Sequence, residues 1–303
     1  MSYLTIKPNA KEWLVQGKGI YTGVKSDNED SGKNYYGFDT GHRNYKTTTN
    51  TVGGIATFEY GLSDKTSLGF VFGGNNQDVS FKGSSSIDGN SLYLGTFTKT
   101  EKDNFKFMSG LGYQYTSADV DRGIANKYDS FKTNDKYNIN SLNIFVEGKY
   151  VLPLEQGYKF EPKIRLSYYN VNQDSVNEGY DPNNLSIKVD SQEANTFDIE
   201  LGADLIKERI IEYGKLNSIL SFGVIRTLGD MEKGLNGNVL GATKNGSAFE
   251  IKGSELPKVS GKVGYNLELE QATGMIYTIG GNLEFAQDGN RNYSIKVGVG
   301  YKF

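Results

Sequence analysis

Histidine, the side chain best suited to proton transfer near neutral pH, occurs once in this sequence, at position 42 in TGHRNY. A hydrolase built on His42 would need an organised Ser or Asp beside it. The His-x-Ser-Asn-Gly run of a phospholipase-like site is missing around it, so His42 reads as a side chain at a strand end. The run SDNEDSG places Asp27, Glu29 and Asp30 close together. Carboxylates so spaced offer hard oxygen ligands to a cation such as Ca²⁺, but the rest of an EF-hand spacing is absent and the run reads as a solvated turn. GFVFGG at 69–74 lacks the Lys-Ser/Thr and the following helix of a phosphate loop. No catalytic, cofactor-binding or metal-binding residues are assigned on this basis, no cofactor is called for, and no enzyme activity is expected.

The other charges are numerous but dispersed, 33 basic against 36 acidic for a net of -3. No basic face argues for nucleic acid, which is not expected as a partner. The absence of cysteine removes disulfide frameworks and thiolate metal sites. Order lies in the spacing. VSGKVGYNLELE puts Val259, Val263, Tyr265, Leu267 and Leu269 on one face and Ser260, Lys262, Asn266, Glu268 and Glu270 on the other. GMIYTIGGNLEF and TFDIELGADL repeat the pattern, and the last fourteen residues, NRNYSIKVGVGYKF, carry Tyr293, Ile295, Val297, Val299, Tyr301 and Phe303 at alternate positions. Period two is the mark of a strand with one apolar and one polar face.

Such strands recur along the chain at 35–45, 52–62, 66–79, 87–100, 104–118, 137–152, 158–173, 194–207, 215–228, 256–271, 274–287 and 291–303. Composition agrees: 38 Gly, 21 Tyr and 16 Phe against 5 Pro suit pleated strands and turns. Most of the strands reach the roughly 9 to 11 residues that a tilted strand needs to cross a bilayer, and no apolar run approaches the roughly 18 to 20 of a membrane helix. Short links at 63–66, 101–104, 153–157 and 271–274 alternate with longer ones at 119–136, 174–193 and 229–255; the link at 208–214 is less tight than its short neighbours. Tight turns on one side and long loops on the other characterise an antiparallel barrel in an outer membrane. The expected fold is all-β, a 12-stranded antiparallel transmembrane β-barrel over 35–303, with lipid as the partner of its apolar face. The short links are expected in the periplasm and the long ones at the cell surface.

With the apolar rows outward, Asp39, Glu59, Lys106, Glu147, Lys149, Glu161, Lys163, Arg165, Asp198, Glu200, Asp204, Lys262, Glu268, Glu284, Lys296 and Lys302 line the lumen. Each Lys or Arg would cost about 2 to 4 kcal/mol against lipid at mid-depth; facing a hydrated bore, or one another, they cost little. Residues 1–34 show no such alternation. PNAKEWLVQGKG carries Ala10, Lys11, Glu12, Trp13 and Leu14 before Gly17, followed by Lys18 and Gly19. This stretch is expected to be a separate, partly helical segment. The start, MSYLTIKPNAKEWL, lacks the charged-then-apolar pattern of a signal peptide, so a chain that leaves the cytoplasm would be a fragment of a longer one.

A polar amino-terminal segment, then alternating strands, then a terminal aromatic strand VGVGYKF: this order resembles the autotransporter β-domain, the translocator unit of type V secretion. YYGFDTG at 35–41 and VGGIATFEYGLSDKTSLGFVFGG at 52–74 resemble that family's opening strands. The resemblance implies an outer-membrane protein of a Gram-negative-type (diderm) bacterium that anchors and helps export a passenger linked covalently to its amino-terminal side. It implies that a linker helix threads the pore, here Pro8 to Ser31, about 36 Å long if fully helical, with Lys11, Glu12 and Lys18 facing wall charges and Trp13 among them. It also implies that the barrel assembly machinery reads the strand ending in Phe303. A monomer is expected. Nothing in 8–30 matches an Asn-rich self-cleavage site, Asn9 and Asn28 being isolated, so no self-cleavage is expected. The alternative is a passive pore, or a structural or adhesive outer-membrane barrel.

Overall fold

The computed structural model describes residues 6–26, 29–30, 43–44, 47–81, 85–125, 130–179, 186–230, 234–240, 248–252, 257–286 and 289–303. Twelve long strands make one sheet. They are β1 (Trp13–Ser26), β2 (Thr47–Gly61), β3 (Thr66–Phe81), β4 (Ser86–Lys102), β5 (Phe105–Ala125), β6 (Ser130–Tyr150), β7 (Tyr158–Gln173), β8 (Gln192–Ile211), β9 (Gly214–Gly229), β10 (Val259–Gln271), β11 (Met275–Ala286) and β12 (Arg291–Lys302). Each pairs antiparallel with the next, and β12 returns to β1 in a register running from Leu14 opposite Lys302 to Lys25 opposite Arg291. The ring is closed. Within the belt each long strand is paired on both sides, so the backbone polar groups there find partners without water.

The distribution of burial is the inverse of a soluble protein's. Ile295, Val297 and Val299 are 50 to 56% exposed on the outer face, whereas Glu161 and Glu268 are 0% and 1% exposed on the inner one. An apolar belt open on the outside is stable only against lipid. Aromatic pairs mark its lower rim, where the tight turns lie: Trp13 with Tyr60 (centroids 4.9 Å apart), Phe105 with Tyr150 (4.9 Å) and Tyr301 with Phe303 (5.7 Å). Tyr21 and Tyr293 pair near the opposite end, at 6.0 Å. Such rings sit where headgroups meet hydrocarbon.

Two expectations are corrected. The separate helical segment is not there: residues 13–26 are β1, built into the wall between β12 and β2. Its alternation is masked because three outward positions are Gly17, Gly19 and Gly23, while Leu14 and Ile20 point inward, which evens out the two faces. The first strand is therefore not 35–45. Of that stretch only Arg43–Asn44 falls within the described residues, and it pairs with Glu29–Asp30 outside the barrel sheet. The link after β8 is also tighter than expected, since the strand continues to Ile211 and β9 starts at Gly214, whose φ of 144° suits a residue without Cβ.

Above the belt the wall is taller than the periodicity indicates. β5 and β6 stay paired from Phe105 opposite Tyr150 up to Ala125 opposite Ser130, so most of 119–136 is hairpin rather than loop. The other long links contribute short strands, Val176–Asn177, Ile187–Val189, Gly234–Val239 and Ala248–Lys252, which form a second sheet of four. Val176 and Val189 bury themselves against Ala118 and Tyr137, flanked by Ile87, Val120 and Ile139. Ala118 lies two residues on from the lumen-facing Thr116, on the same row, so this small sheet packs on the inner side of the raised wall.

Candidate functional site

The lumen is a cavity of about 970 Å³ lined by side chains from all twelve strands. Its charges are tied to one another across neighbouring strands. Lys99 on β4 reaches over β3 to Glu59 on β2, Nζ to Oε2 2.7 Å, and the Ser67 hydroxyl donates to the other oxygen of Glu59 at 2.5 Å. Lys106 meets Glu161 at 2.6 Å. On β6 to β10 the links become a chain: Arg165 to Glu147 (3.4 Å), Lys149 to Asp204 (2.7 Å), Lys163 to Asp204 (3.1 Å) and to Glu200 (3.5 Å), and Lys262 to Glu200 (2.9 Å). Asp198 accepts from the Thr227 hydroxyl and Glu284 from that of Ser260, both at 2.7 Å. Lys302 bonds Glu270 near the turn end. Paired signs of this kind stiffen a bore while cancelling most of the field along it.

The charged residues singled out for the lumen are thus placed on the inner rows, with the exception of Asp39, which lies outside the described residues together with Asp27 and His42. Lys296 and Glu268 line the cavity beside Lys18. Trp13 points outward at the rim. Lys11 and Glu12 sit in the turn before β1, where Glu12 Oε2 accepts from the Asn9 side-chain amide (2.8 Å) and backbone N–H (3.0 Å), holding its carboxyl below the usual range. Among the described residues no group of three or more His, Cys, Asp or Glu could hold a metal ion.

Sorting by polarity misses an apolar patch on the inner wall. Val71, Phe97, Met108 and Phe145 form a buried cluster, with Tyr93 against it. The rings lie over glycines of neighbouring strands: a Cβ at Gly69 would run into Phe97, one at Gly110 into Phe145 and one at Gly112 into Tyr93. The Arg165 guanidinium covers Phe145 at 4.1 Å, a cation–π contact that shields the ring from the bore. Strand register is the signal that finds these residues, since Phe97 is two positions from the inward Lys99.

The turn-end mouth is occupied by the chain itself. Residues 6–12 fold under the wall: the Lys11 N–H donates to Gly61 O (2.7 Å), the Ala10 N–H to Asp64 Oδ1 (3.1 Å), and Lys7 to the Asp64 carbonyl. Ile6 is buried with Leu14 and Ile276, and its carbonyl accepts from Lys99 Nζ at 3.4 Å. The chain therefore meets the barrel from within its mouth before turning out into β1. At the other mouth Arg122 holds Glu178 through Nε (2.6 Å) and Nη2 (2.5 Å). The Thr133 hydroxyl (2.7 Å) and Ile187 N–H (2.8 Å) donate to the same carboxylate.

The sequence matches the family described as "Autotransporter beta-domain" over residues 22–283. No curated protein sequence matches the chain. Among solved structures, the translocator domain of the autotransporter NalP from Neisseria meningitidis superposes with a TM-score of 0.72 at 13% identity, over 97% of this chain and 90% of that one. The transport unit of the autotransporter AIDA-I from Escherichia coli gives 0.65 at 13% identity, covering 100% and 93%. The β domain of the Bordetella autotransporter BrkA gives 0.65 at 12%, covering 96% and 99%. At these identities the likeness is one of fold.

Proposed function

Because this chain belongs to the autotransporter β-domain family, the outer-membrane translocator unit of type V secretion, we propose that its lumen is the conduit for a passenger joined to its amino-terminal side. One observation carries this reading: Ile6 lies inside the turn-end mouth, bonded to the lumen residue Lys99, so a chain continuing upstream of it starts within the bore. The segment that occupies the pore is then the chain before β1, not residues 13–26. The salt-bridge chain of the wall supports the same use, since a bore with most of its charges paired lets a polypeptide pass without binding it tightly along its length. Tyr293, Ile295, Val297, Val299, Tyr301 and Phe303 face outward on the closing strand, where the assembly machinery would read them during insertion. The protein works as a monomer, with no catalytic step.

A reporter with a signal peptide, fused upstream of residue 1, tests this. Protease added to intact cells should remove the reporter while the barrel keeps its heat-modifiable migration on SDS gels. A folded outer-membrane barrel with the reporter left in the periplasm would overturn the conduit reading in favour of a passive pore.

A further inference from the structure

The ion-pair chain leaves out one sector of the lumen. On the inner row of β1 stand Gln16 and, two residues on, Lys18; Lys296 stands on the inner row of the adjoining β12, in register with Ile20. All three line the cavity. Gln16 is 5% exposed and its Nε2 has no hydrogen-bond partner. Among the described residues no hydrogen bond or ion pair engages Lys18 or Lys296; Lys99 and then Lys296 repel the first, Lys262 repels the second, and Glu268 attracts both. The neighbouring cations are committed elsewhere, Lys99 to Glu59 at 2.7 Å and Lys262 to Glu200 at 2.9 Å. A buried amide donor without an acceptor is unfavourable, and an oxyanion at the seam would supply that acceptor next to two cations that have no ion-pair partner among the described residues. The three donors follow one another along the seam, opposite Gly300, beside Gly298 and opposite Ile20, so successive carboxylates of an extended chain have the lone pairs to accept from them.

We propose that Gln16, Lys18 and Lys296 form an oxyanion site in the lumen, at the seam where β12 closes on β1, and that it takes side-chain carboxylates of a polypeptide in the pore. This rests on the conduit reading. It adds a selective position to an otherwise charge-balanced bore, so that acidic stretches of a passing chain dwell at the seam while basic ones do not. Gly298 and Gly300 let the Lys18 and Gln16 stems lie flat across the seam, which fixes where their polar ends start.

The test is titration calorimetry at low salt on the full chain folded in detergent micelles, with capped hexaglutamate, capped hexalysine and acetate as probes. Hexaglutamate should bind and hexalysine should not. The Lys18→Gln, Lys296→Gln double variant should weaken hexaglutamate by roughly tenfold per lysine removed, and Gln16→Leu by a smaller factor. The Lys18→Arg, Lys296→Arg variant keeps both charges and should retain binding, which separates loss of charge from loss of fold; heat-modifiable migration checks each variant. Acetate binding as tightly as hexaglutamate would keep the oxyanion site but overturn the polypeptide source. Equal hexaglutamate binding by wild type and the double Gln variant, or none by either, would overturn the site. Export of the fused reporter is measured separately, so either failure leaves the conduit reading to be judged on its own result.

Discussion

Gly298 and Gly300 explain why the closing strand reads VGVG. A Cβ built at either would stand 2.7 Å from the Cγ of Lys18 or Gln16, and 3.0 or 2.9 Å from the carbonyl oxygen of Gly17 or Val15. These inner positions of β12 are vacant so that two β1 side chains can lie flat across the seam. Gly17, on the outer row of β1, has nothing within 4 Å of its would-be Cβ. Gly298→Val and Gly300→Val should therefore each destabilise the closed barrel by about 1 to 3 kcal/mol through overpacking. Gly17→Val should be neutral or stabilising, since it adds a β-branched side chain to a lipid-facing strand position. The midpoint of heat modification on SDS gels reads all three, and an equal fall for Gly17→Val and Gly298→Val would contradict this seam. At the same scale, Asp204 compensates both Lys149 (2.7 Å) and Lys163 (3.1 Å). Asp204→Asn should cost on the order of 1 to 3 kcal/mol, because Lys149 and Lys163 lose their nearest carboxylate and keep only Glu147 (3.7 Å) and Glu200 (3.5 Å); the urea midpoint of unfolding from detergent checks this.

The small sheet at the outer mouth is the element most dependent on one ionised group. Burial alone would raise the Glu178 pKa, but the bonds from Arg122, Thr133 and the Ile187 N–H outweigh it and leave the carboxyl below its ordinary 4.5. A depressed carboxylate contributes stability above its unfolded pKa and loses it as pH falls through the folded one. Amide exchange at Ile187–Val189 should thus be slow at neutral pH and should accelerate once pH drops below 4.5. In Glu178→Gln that step should vanish, with exchange already faster at neutral pH. An unchanged step in the variant would place the switch elsewhere. This sheet was not legible in the sequence, because its strands, Val176–Asn177, Ile187–Val189, Gly234–Val239 and Ala248–Lys252, are too short for period two to separate strand from loop. In the belt period two was sufficient: apart from the upper ends of β2, β5 and β6, which run on past the expected bounds, β2 to β12 match the alternating stretches from 52 onward to within a few residues, and period two also puts Glu147 and Lys149 on the inner row. β1 escaped because Gly17, Gly19 and Gly23 interrupt its outer row, and the inner cluster of Val71, Phe97, Met108 and Phe145 escaped because apolar residues were assigned to lipid.

For the whole molecule, the two ends of the described chain lie at one mouth: the Trp13 N–H donates to the Phe303 carbonyl at 2.7 Å and the reverse bond is 3.0 Å. Closure thus depends on β1. Deleting residues 1–26 should leave β12 and β2 without their partner and give no heat-modifiable species. Deleting residues 1–8 removes the packing of Ile6 on Leu14 and Ile276, the Lys7 bond to the Asp64 carbonyl and the Lys99 bond to the Ile6 carbonyl, but leaves β1 whole; the barrel should remain folded and conduct better in a planar bilayer. A folded barrel after the first deletion would mean that residues 13–26 are not wall. The central claim, that an upstream chain crosses through this lumen, is tested most directly by photo-crosslinking in cells with a reporter stalled during export. A crosslinking amino acid at the inward positions Ser141 and Thr278, which line the cavity, should form adducts with the reporter chain. The same group at the outward positions Ile144 and Tyr277, exposed on the lipid face, should not. Export to the surface with no adduct from the inward positions, or adducts from the outward ones alone, would contradict the account.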